Sequence, residues 1–253
     1  MSPEGASQER GTGATPRRRG GYGKFESVEL LPEQPPYPAE LLERLGATRL
    51  HCGCGLGLRP GWLNTDMLVL KNRARTSFTE PDRIARIDGS VLYLEHDATT
   101  AFPLADGCLE WVYSEHFIEH LTLQETVGWL TEMRRLLRPG GHARISTPDL
   151  HRYARGYADS RDGFFPEHAR RLREIGAPDV SERGGWMLNQ IFYQWGHKWI
   201  YDLEEIRHVA GRAGFDPQSA VERSFRQGAD LEVAALDREW RSDESLYVEI
   251  TKT

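Results

Sequence analysis

Three glycines within five residues, Gly53, Gly55 and Gly57, stand at the end of a short apolar run that begins at Leu50. Glycine has no Cβ, so its backbone can adopt positive φ and a bound ligand can approach it closely. In an open α/β sheet, a strand that ends in such a turn commonly presents backbone N–H groups to a nucleotide-like ligand. Any tight turn after a strand can use the same residues, so this pattern needs support from elsewhere in the chain.

Polar side chains end the later apolar runs as well. Asp66 and Asp97 each close one run, and Ser114, Glu115 and His116 close another. A carboxylate after the second strand can accept hydrogen bonds from both hydroxyls of a ribose. A carboxylate after the third strand suits an exocyclic amine such as that of adenine. Together with the glycine turn, these strand ends favour a cofactor that contains a nucleoside.

Hydrophobic periodicity predicts the elements that position these side chains. Apolar residues recur at helical spacing over 123–137, and the Pro139-Gly140-Gly141 sequence ends this helix. Strands that alternate with helices indicate a doubly wound, mostly parallel sheet. Strands are predicted at 50–54, 62–67, 91–97, 109–114, 142–147, 221–225 and 246–251, with further helices at 38–45 and 203–213.

Two connections depart from regular alternation. Only four residues separate Gly57 from Trp62, too few for a crossover helix, which needs about ten. Segment 71–88 is polar and lacks clear periodicity, so it is interpreted as a loop with room for a helical turn.

The composition narrows the class of protein. The 253 residues suffice for one large α/β domain or one domain with an insertion. A net charge of −6 argues against general binding of nucleic acids or membranes. No apolar run approaches a membrane span, and the N-terminus lacks the pattern of a signal peptide. The three cysteines form neither a disulfide framework nor a CxxC zinc pair, which is typical of a cytoplasmic protein.

The N-terminal segment 1–23 is predicted to be a disordered tail. It is rich in Gly, Ser, Pro and Arg and has almost nothing apolar to bury. The remainder, 24–253, is interpreted as a single domain. Of the 32 basic residues in the chain, 28 are arginine, a bias that suggests a GC-rich genome.

Several short motifs in the region 49–150, taken in order, resemble class I S-adenosylmethionine-dependent methyltransferases of the type 11 group. Each motif alone is weak, but their order and spacing together are specific. The motifs are His51-Cys52-Gly53-Cys54-Gly55, Pro60-Gly61-Trp62-Leu63-Asn64-Thr65-Asp66, His96-Asp97, Phe102-Pro103-Leu104, the run from Trp111 to Leu121, Leu136-Leu137-Arg138-Pro139-Gly140-Gly141, and Ile145-Ser146-Thr147-Pro148-Asp149-Leu150.

The resemblance implies a Rossmann-like sheet of seven strands and S-adenosylmethionine as cofactor. The glycine turn would run under the methionine part, Asp66 would hold the ribose, and Asp97 would face the adenine. In the commoner pattern of the family, the acid that binds the ribose lies about twenty residues after the glycines. Asp66 follows the glycine turn much sooner. The cofactor-binding residues that the resemblance implies are Gly53, Cys54, Gly55, Asp66, Met67, His96, Asp97, Ala98, Ser114, Glu115 and His116.

An aromatic-rich helical insertion is predicted at 151–196, after the fifth strand. In enzymes of this kind such a segment commonly covers the substrate, which makes Tyr153, Tyr193, Trp195 and His197 candidates for substrate binding. Each aromatic ring could equally belong to the core of a small helical subdomain.

Methyl transfer from a sulfonium is an in-line displacement, so much of the catalysis is positioning of the nucleophile. His116 and His197 are the candidate catalytic bases, although His116 could instead hydrogen-bond the cofactor. No metal site is predicted, because strand alternation would direct Cys52 and Cys54 to one face of the sheet and His51 to the other.

The predicted function is transfer of a methyl group to a small-molecule acceptor, in the specialised metabolism that yields natural products, with neither nucleic acid nor membrane as partner. One alternative is a non-methylating reaction of the same cofactor, aminocarboxypropyl transfer or cyclisation, which releases methylthioadenosine. A second is a non-catalytic module that binds the cofactor. An NAD-dependent oxidoreductase is disfavoured, because the glycines do not follow G-x-G-x-x-G.

Overall fold

The structure, a computed structural model, describes residues 22–253. The predicted disordered tail therefore lies outside the described residues, except for Tyr22 and Gly23, which belong to a short strand. The strands are β1 (Tyr22–Phe25), β2 (Val28–Leu30), β3 (Arg49–Cys52), β4 (Leu63–Asp66), β5 (Leu70–Asn72), β6 (Ile84–Ile87), β7 (Val91–Glu95), β8 (Leu109–Glu115), β9 (Leu137–Pro148), β10 (Ala220–Arg223) and β11 (Ser245–Thr251).

Helices cover the sheet and extend from one end of it. The α-helices are α1 (Ala39–Leu45), α2 (Leu123–Leu136), α3 (Leu150–Ala158), α4 (Phe164–Glu174), α5 (Gly184–Tyr193), α6 (Leu203–Arg212) and α7 (Leu231–Ala234). Short 3-10 helices lie at Ile118–His120, Ser160–Asp162, Pro217–Ser219 and Glu239–Arg241.

The main sheet has the strand order β10-β11-β9-β8-β3-β4-β7-β6-β2. The five central strands, from β9 to β7, are parallel. At one side β11 pairs antiparallel with β9 and β10 pairs antiparallel with β11, and at the other side β6 and β2 are added through antiparallel pairs in the same way. The predicted Rossmann-like α/β fold is confirmed, but this sheet has nine strands in the described part of the chain, whereas seven were predicted.

The two additional strands come from segments without a strand-like pattern. β6 lies in 71–88, which was wrongly interpreted as a loop, and it pairs with the outer edge of β7. β2 then pairs with β6. These strands have four and three residues, too short for alternation to stand out in the sequence. Pairing with β7 stabilises β6 as a strand, because it provides hydrogen-bond partners for an otherwise open edge of the sheet.

The connection between β3 and β4 contains no helix, as its length predicted. The neighbouring strands nevertheless pair in parallel. Residues from the C-terminal region help to cover this face of the sheet, where Val233 and Leu236 pack with Trp62, Trp111 and Tyr113. The chain thus replaces a crossover helix with a segment from its far end.

A buried arginine anchors this C-terminal segment. The guanidinium of Arg144 on β9 is completely buried and donates to both carboxylate oxygens of Asp237, at 3.0 and 2.6 Å. It also donates to Glu249 on β11 at 2.9 Å. A buried charge is tolerated only with such partners, so the network holds the segment around Asp237 to the sheet.

The main core lies between the sheet and helices α1, α2 and α6. Helix α2 buries Trp129 and Met133 against it, and Thr122 and Glu125 form a capping box at its N-terminus. Asp202 caps the N-terminus of α6, where its side chain accepts from the Glu205 N–H.

The helical segment after β9 has a core of its own. Helices α3, α4 and α5 enclose a separate hydrophobic cluster, and three of its aromatic rings are buried. The cluster consists of Tyr153, Phe164, Phe165, Ala169, Leu172, Met187, Ile191 and Ile200. None of the helices between residues 22 and 253 combines the length and apolar character that crossing a membrane requires.

Candidate active site

A cleft of about 880 Å³ opens at the carboxyl ends of the parallel strands. Asp97, Asp66, Gly53 and His116 lie at the ends of four successive strands in the order β7-β4-β3-β8. Three inter-strand steps of about 4.8 Å give this row a length of roughly 14 Å. The cleft is lined by Gly53, Thr65, Asp66, Met67, Leu68, Pro81, Asp82, Glu95, His96, Asp97, Ala98, Thr99, Thr100, His116, Phe117, His120, Leu121, Trp195 and Gly196.

The glycine turn is joined directly to the acid after β4. The Gly55 N–H donates to Asp66 Oδ2 at 2.9 Å. Gly53 has a φ of +68°, and a Cβ there would lie 2.7 Å from Phe117 Cδ2. Only glycine therefore fits at this position, because both the backbone conformation and the neighbouring ring exclude a side chain.

Cys54 needs a correction as a cofactor-binding side chain. Its side chain is buried in the cluster around Tyr93 and does not line the cleft. Burial also raises the pKa of its thiol well above the ordinary value. Cys54 and Gly55 can contribute to the cleft wall only through the backbone of the turn.

The strand end after β7 presents a histidine and an aspartate. Asp97 Oδ1 accepts from the backbone N–H and the hydroxyl of Thr99, at 3.0 and 2.7 Å. His96 donates from Nδ1 to Asp82 at 2.6 Å, while its buried Nε2 has no hydrogen-bond partner. In the neutral ring this Nε2 carries a lone pair that can accept from a ligand N–H. An unpaired buried polar atom of this kind indicates a missing polar partner.

His116 is held rigidly at the end of β8. It is buried, and its φ of +48° is strained for a residue with a Cβ. Nε2 donates to the hydroxyl of Ser245 at 2.7 Å, because that hydroxyl itself donates to the Arg241 carbonyl. Burial, above all, lowers the pKa of the ring well below its ordinary value, so the imidazole is neutral.

Glu119 lies next to His116 and was not among the predicted site residues. Its side chain is completely buried, and its Oε1 is 3.2 Å from His116 Nδ1. Its Oε2 accepts from the Thr147 hydroxyl at 3.0 Å. Burial raises the pKa of this carboxyl. The close spacing of His116, Glu119 and His120 was the sequence signal for this group, but the 3-10 geometry that joins them was not predicted.

Ser114 and Glu115 were implied to border the cofactor, and the structure corrects both. Ser114 is completely buried within β8. Glu115 accepts from the backbone N–H of Arg238 at 3.0 Å and pairs with its guanidinium at 2.9 Å. Successive strand residues point to opposite faces, so Glu115 turns away from His116 and holds the C-terminal segment instead.

The four substrate candidates fall in different places. Trp195 lines the cleft at a φ of +62°. His197 is not among the residues that line the cleft, and its Nδ1 donates to the Ile191 carbonyl at 2.7 Å. Tyr193 is 79% exposed at the end of α5 and does not line the cleft. Tyr153 is completely buried in the helical core.

The burial of Tyr153 has a hydrogen-bonding reason. Its hydroxyl donates to Glu244 at 2.7 Å and accepts from His168 Nε2 at 2.8 Å. His168 Nδ1 in turn donates to Asp243 at 2.9 Å. Tyr153 is therefore a structural residue of the insertion, and the prediction that it contacts substrate was wrong.

Glu119, His120 and His197 form a further group, one that was not predicted. Each offers one potential metal-donor atom, and these atoms lie within 4.8 Å of one another. His120 lines the cleft, so the group reaches the same space as the strand ends.

The sequence itself identifies the domain that carries this cleft. Residues 50–145 match a protein family described as "Methyltransferase domain", type 11. The chain carries a methyltransferase domain in residues 50–145. It is an enzyme, and S-adenosylmethionine is the cofactor of the methyltransferase.

Solved structures similar to the methyltransferase have little sequence in common with it. One is a methyltransferase from Mesorhizobium loti, with 15% identity, a TM-score of 0.43, and coverage of 81% of this chain and 91% of that one. Another is a methyltransferase from Archaeoglobus fulgidus, with 15% identity, a TM-score of 0.42, and coverage of 85% and 92%. Among curated proteins, no sequence matches the chain.

The residues around the cleft of the methyltransferase fit this cofactor. The backbone at Gly53 leaves space that a side chain would fill. Asp66 lies at the end of β4, where its oxygens can accept from ribose hydroxyls. His96 Nε2 and Asp97 offer acceptors at the far end of the strand row, where an adenine amine would be the donor.

Proposed function

We propose that the methyltransferase methylates a small-molecule acceptor, which binds in the same cleft beside Trp195. The observation that carries this proposal is the size of the cleft, about 880 Å³. Sites for small molecules typically measure roughly 300–1,000 Å³. Because the cofactor must occupy part of this space, the remainder suits an acceptor of modest size.

The charge of the cleft supports the same class of acceptor. Four acidic residues, Asp66, Asp82, Glu95 and Asp97, lie along its wall. Among its described lining residues there is no lysine or arginine. Nucleic acid recognition depends on basic side chains that neutralise phosphates, so this wall disfavours a polyanionic acceptor. The acidic wall also suits a positively charged sulfonium.

The chain's own residues divide into a cofactor side and an acceptor side. When bound, S-adenosylmethionine supplies a methyl carbon to a nucleophile, and the electron pair of the carbon–sulfur bond remains on S-adenosylhomocysteine. Asp66 and Asp97 would hold the nucleoside part, and Trp195 would form a wall for the acceptor. His116 lies between these sides, and its Nδ1 is the ring nitrogen with a lone pair.

The helical insertion supports a specific acceptor. Helices α3 to α5 carry the chain from β9 to Trp195, so the insertion determines how this ring enters the cleft. We include a role in specialised metabolism in the proposal, supported by this aromatic insertion and by the arginine-rich composition.

Analysis of the by-product tests the proposal. The full-length protein is incubated with S-adenosylmethionine and a panel of small phenols, alcohols, amines and thiols, and the products are analysed by mass spectrometry. We expect S-adenosylhomocysteine together with an acceptor that is one methyl group heavier. Formation of methylthioadenosine would instead establish a non-methylating reaction. Tight binding of S-adenosylhomocysteine without turnover across the panel would contradict methyl transfer to these classes.

A further inference from the structure

Two histidines and one glutamate meet at the end of the cleft beside Trp195. Glu119 and His120 belong to the 3-10 helix that follows β8, whereas His197 lies in the turn after α5. The rings of His120 and His197 lie 5.0 Å apart, with an angle of 62° between their planes. Two distant parts of the chain thus bring three side chains with metal-donor atoms to one place.

The surroundings of the two histidines leave them suited to bind a cation. His197 donates from Nδ1 to the Ile191 carbonyl at 2.7 Å, so its Nε2 carries the lone pair. Nδ1 of His120 lies beside the backbone of Gly196. Histidines that bind metals commonly donate their second ring N–H to a carbonyl or carboxylate in this way, which fixes the tautomer and the ring orientation.

The buried carboxylate of Glu119 has one oxygen without a hydrogen-bond donor. Glu119 is completely buried, and its Oε1 makes no hydrogen bond. His116 Nδ1 lies 3.2 Å from this oxygen, but the geometry is not that of a hydrogen bond. Oε2 is satisfied by the Thr147 hydroxyl. A buried carboxylate oxygen without a donor is costly, and a cation beside it would remove this cost.

We propose that Glu119, His120 and His197 bind one divalent transition-metal cation, with Zn²⁺ the best match to the donor set. Two imidazoles and one carboxylate, with a further position open, are a known ligand set of catalytic zinc. Bonds of about 2.0–2.2 Å place tetrahedral ligand atoms roughly 3.3 Å apart. The three donor atoms, which lie within 4.8 Å of one another, would reach this spacing by small side-chain rotations.

The open position would face the acceptor. His120 lines the cleft together with Trp195 and Gly196, so a fourth ligand would enter from this side. This part of the inference rests on the proposed function and names the acceptor class as an alcohol or phenol. Binding to the cation lowers the pKa of a hydroxyl. Its proton leaves to water in the open cleft, and the oxygen lone pair forms the new bond to the methyl carbon as the carbon–sulfur bond breaks.

Metal content tests the site without any assay of activity. The full-length protein is treated with a chelator, dialysed against Zn²⁺ alone, and analysed for bound metal, with Co²⁺ as a probe that absorbs visible light. His197→Ala and Glu119→Gln are compared with His208→Ala, which removes an exposed histidine on α6. We expect one equivalent of Zn²⁺ in the wild type and in the control. Affinity should fall at least about tenfold in both cluster variants.

Separate readouts distinguish failure of this site from failure of the proposed function. If the wild type binds less than a tenth of an equivalent, or if His197→Ala binds Zn²⁺ as well as the control does, the metal site is wrong. Calorimetry with S-adenosylhomocysteine on the same samples confirms that each variant is folded. Chelation should abolish methylation of hydroxyl acceptors while leaving that affinity unchanged. Undiminished hydroxyl methylation after chelation would overturn the catalytic role of the cation.

Discussion

The two sides of the cleft are built in different ways. On one side, the ends of four adjacent parallel strands present Asp97, Asp66, Gly53 and His116, and the main core supports these strands. On the other side, Trp195 follows a helix that packs in a separate and smaller cluster. The first side belongs to a continuous sheet and the second to an insertion. If the acceptor binds beside Trp195, as proposed, the residues that select it can change without altering the cofactor side.

The largest effect is expected from breaking the core of the insertion. Tyr153→Ala removes a completely buried ring and leaves His168 and Glu244 without their shared partner. It should destabilise the insertion by about 3–5 kcal/mol. Hydrogen exchange should show loss of protection in α3 to α5, while calorimetry shows S-adenosylhomocysteine affinity changed by less than about threefold.

The milder variant Tyr153→Phe keeps the ring and removes only the hydroxyl, so it should cost about 1–2 kcal/mol. If cofactor affinity collapses in Tyr153→Ala while the sheet stays folded, the two sides are not independent.

A smaller effect is expected from the strand-end acids. Asp66→Ala and Asp97→Ala each remove a charged acceptor, which is worth about 1.5–3 kcal/mol. Affinity for S-adenosylhomocysteine, measured by calorimetry, should fall about 10- to 100-fold. The control Glu222→Ala removes an exposed carboxylate from β10 and should leave affinity unchanged. An unchanged affinity in both aspartate variants would exclude the assigned cofactor orientation.

Trp195→Ala should have a more selective effect. The ring lines the cleft from the insertion, so its loss should weaken acceptor binding and raise KM for the acceptor about tenfold, or about 1.4 kcal/mol. Affinity for S-adenosylhomocysteine should stay within about twofold. Steady-state kinetics with the acceptor found in the panel provide the measurement. If affinity for S-adenosylhomocysteine falls as much as acceptor binding does, Trp195 would instead contact the cofactor.

The smallest effect is a pH dependence confined to the insertion. Burial opposes protonation of His168, but the hydrogen bond to Asp243 and the charge of Glu244 outweigh it and raise the pKa of His168, with Arg171 acting against them. A raised pKa in the folded state contributes stability that is complete below the unfolded value of about 6.5. This contribution is lost as pH rises through the folded pKa.

Thermal unfolding of the wild type and of His168→Asn between pH 5.5 and pH 9 provides the test. The stability advantage of the wild type should be greatest at the acidic end and should decline toward pH 9. A constant difference across the range would show that His168 does not gain a proton on folding.

The strand ends were the more predictable part of the site because sheet geometry constrains them. Once Asp66 and Asp97 end parallel strands, they must meet at one edge. The sequence did not show which of Trp195, His197 and Tyr153 would reach a ligand, since an aromatic residue in a helical segment can face the core or a ligand. Only the packing of α3 to α5 separated them. Glu119 was missed because a 3-10 turn, and not a long periodic element, brings it beside His116 and His120.

The sequence by itself determined the class of fold and the cofactor. The glycine turn, the acids after the strands and the methyltransferase motifs are local patterns whose meaning depends on a backbone geometry common to all such sheets. Tertiary structure decided which side chains line the cleft and which lie in the core. Partners such as His197 and Glu119 are far apart in the chain, and they meet only because separate elements pack against one another. Local sequence cannot encode such a meeting, because it depends on the packing of the whole insertion against the sheet.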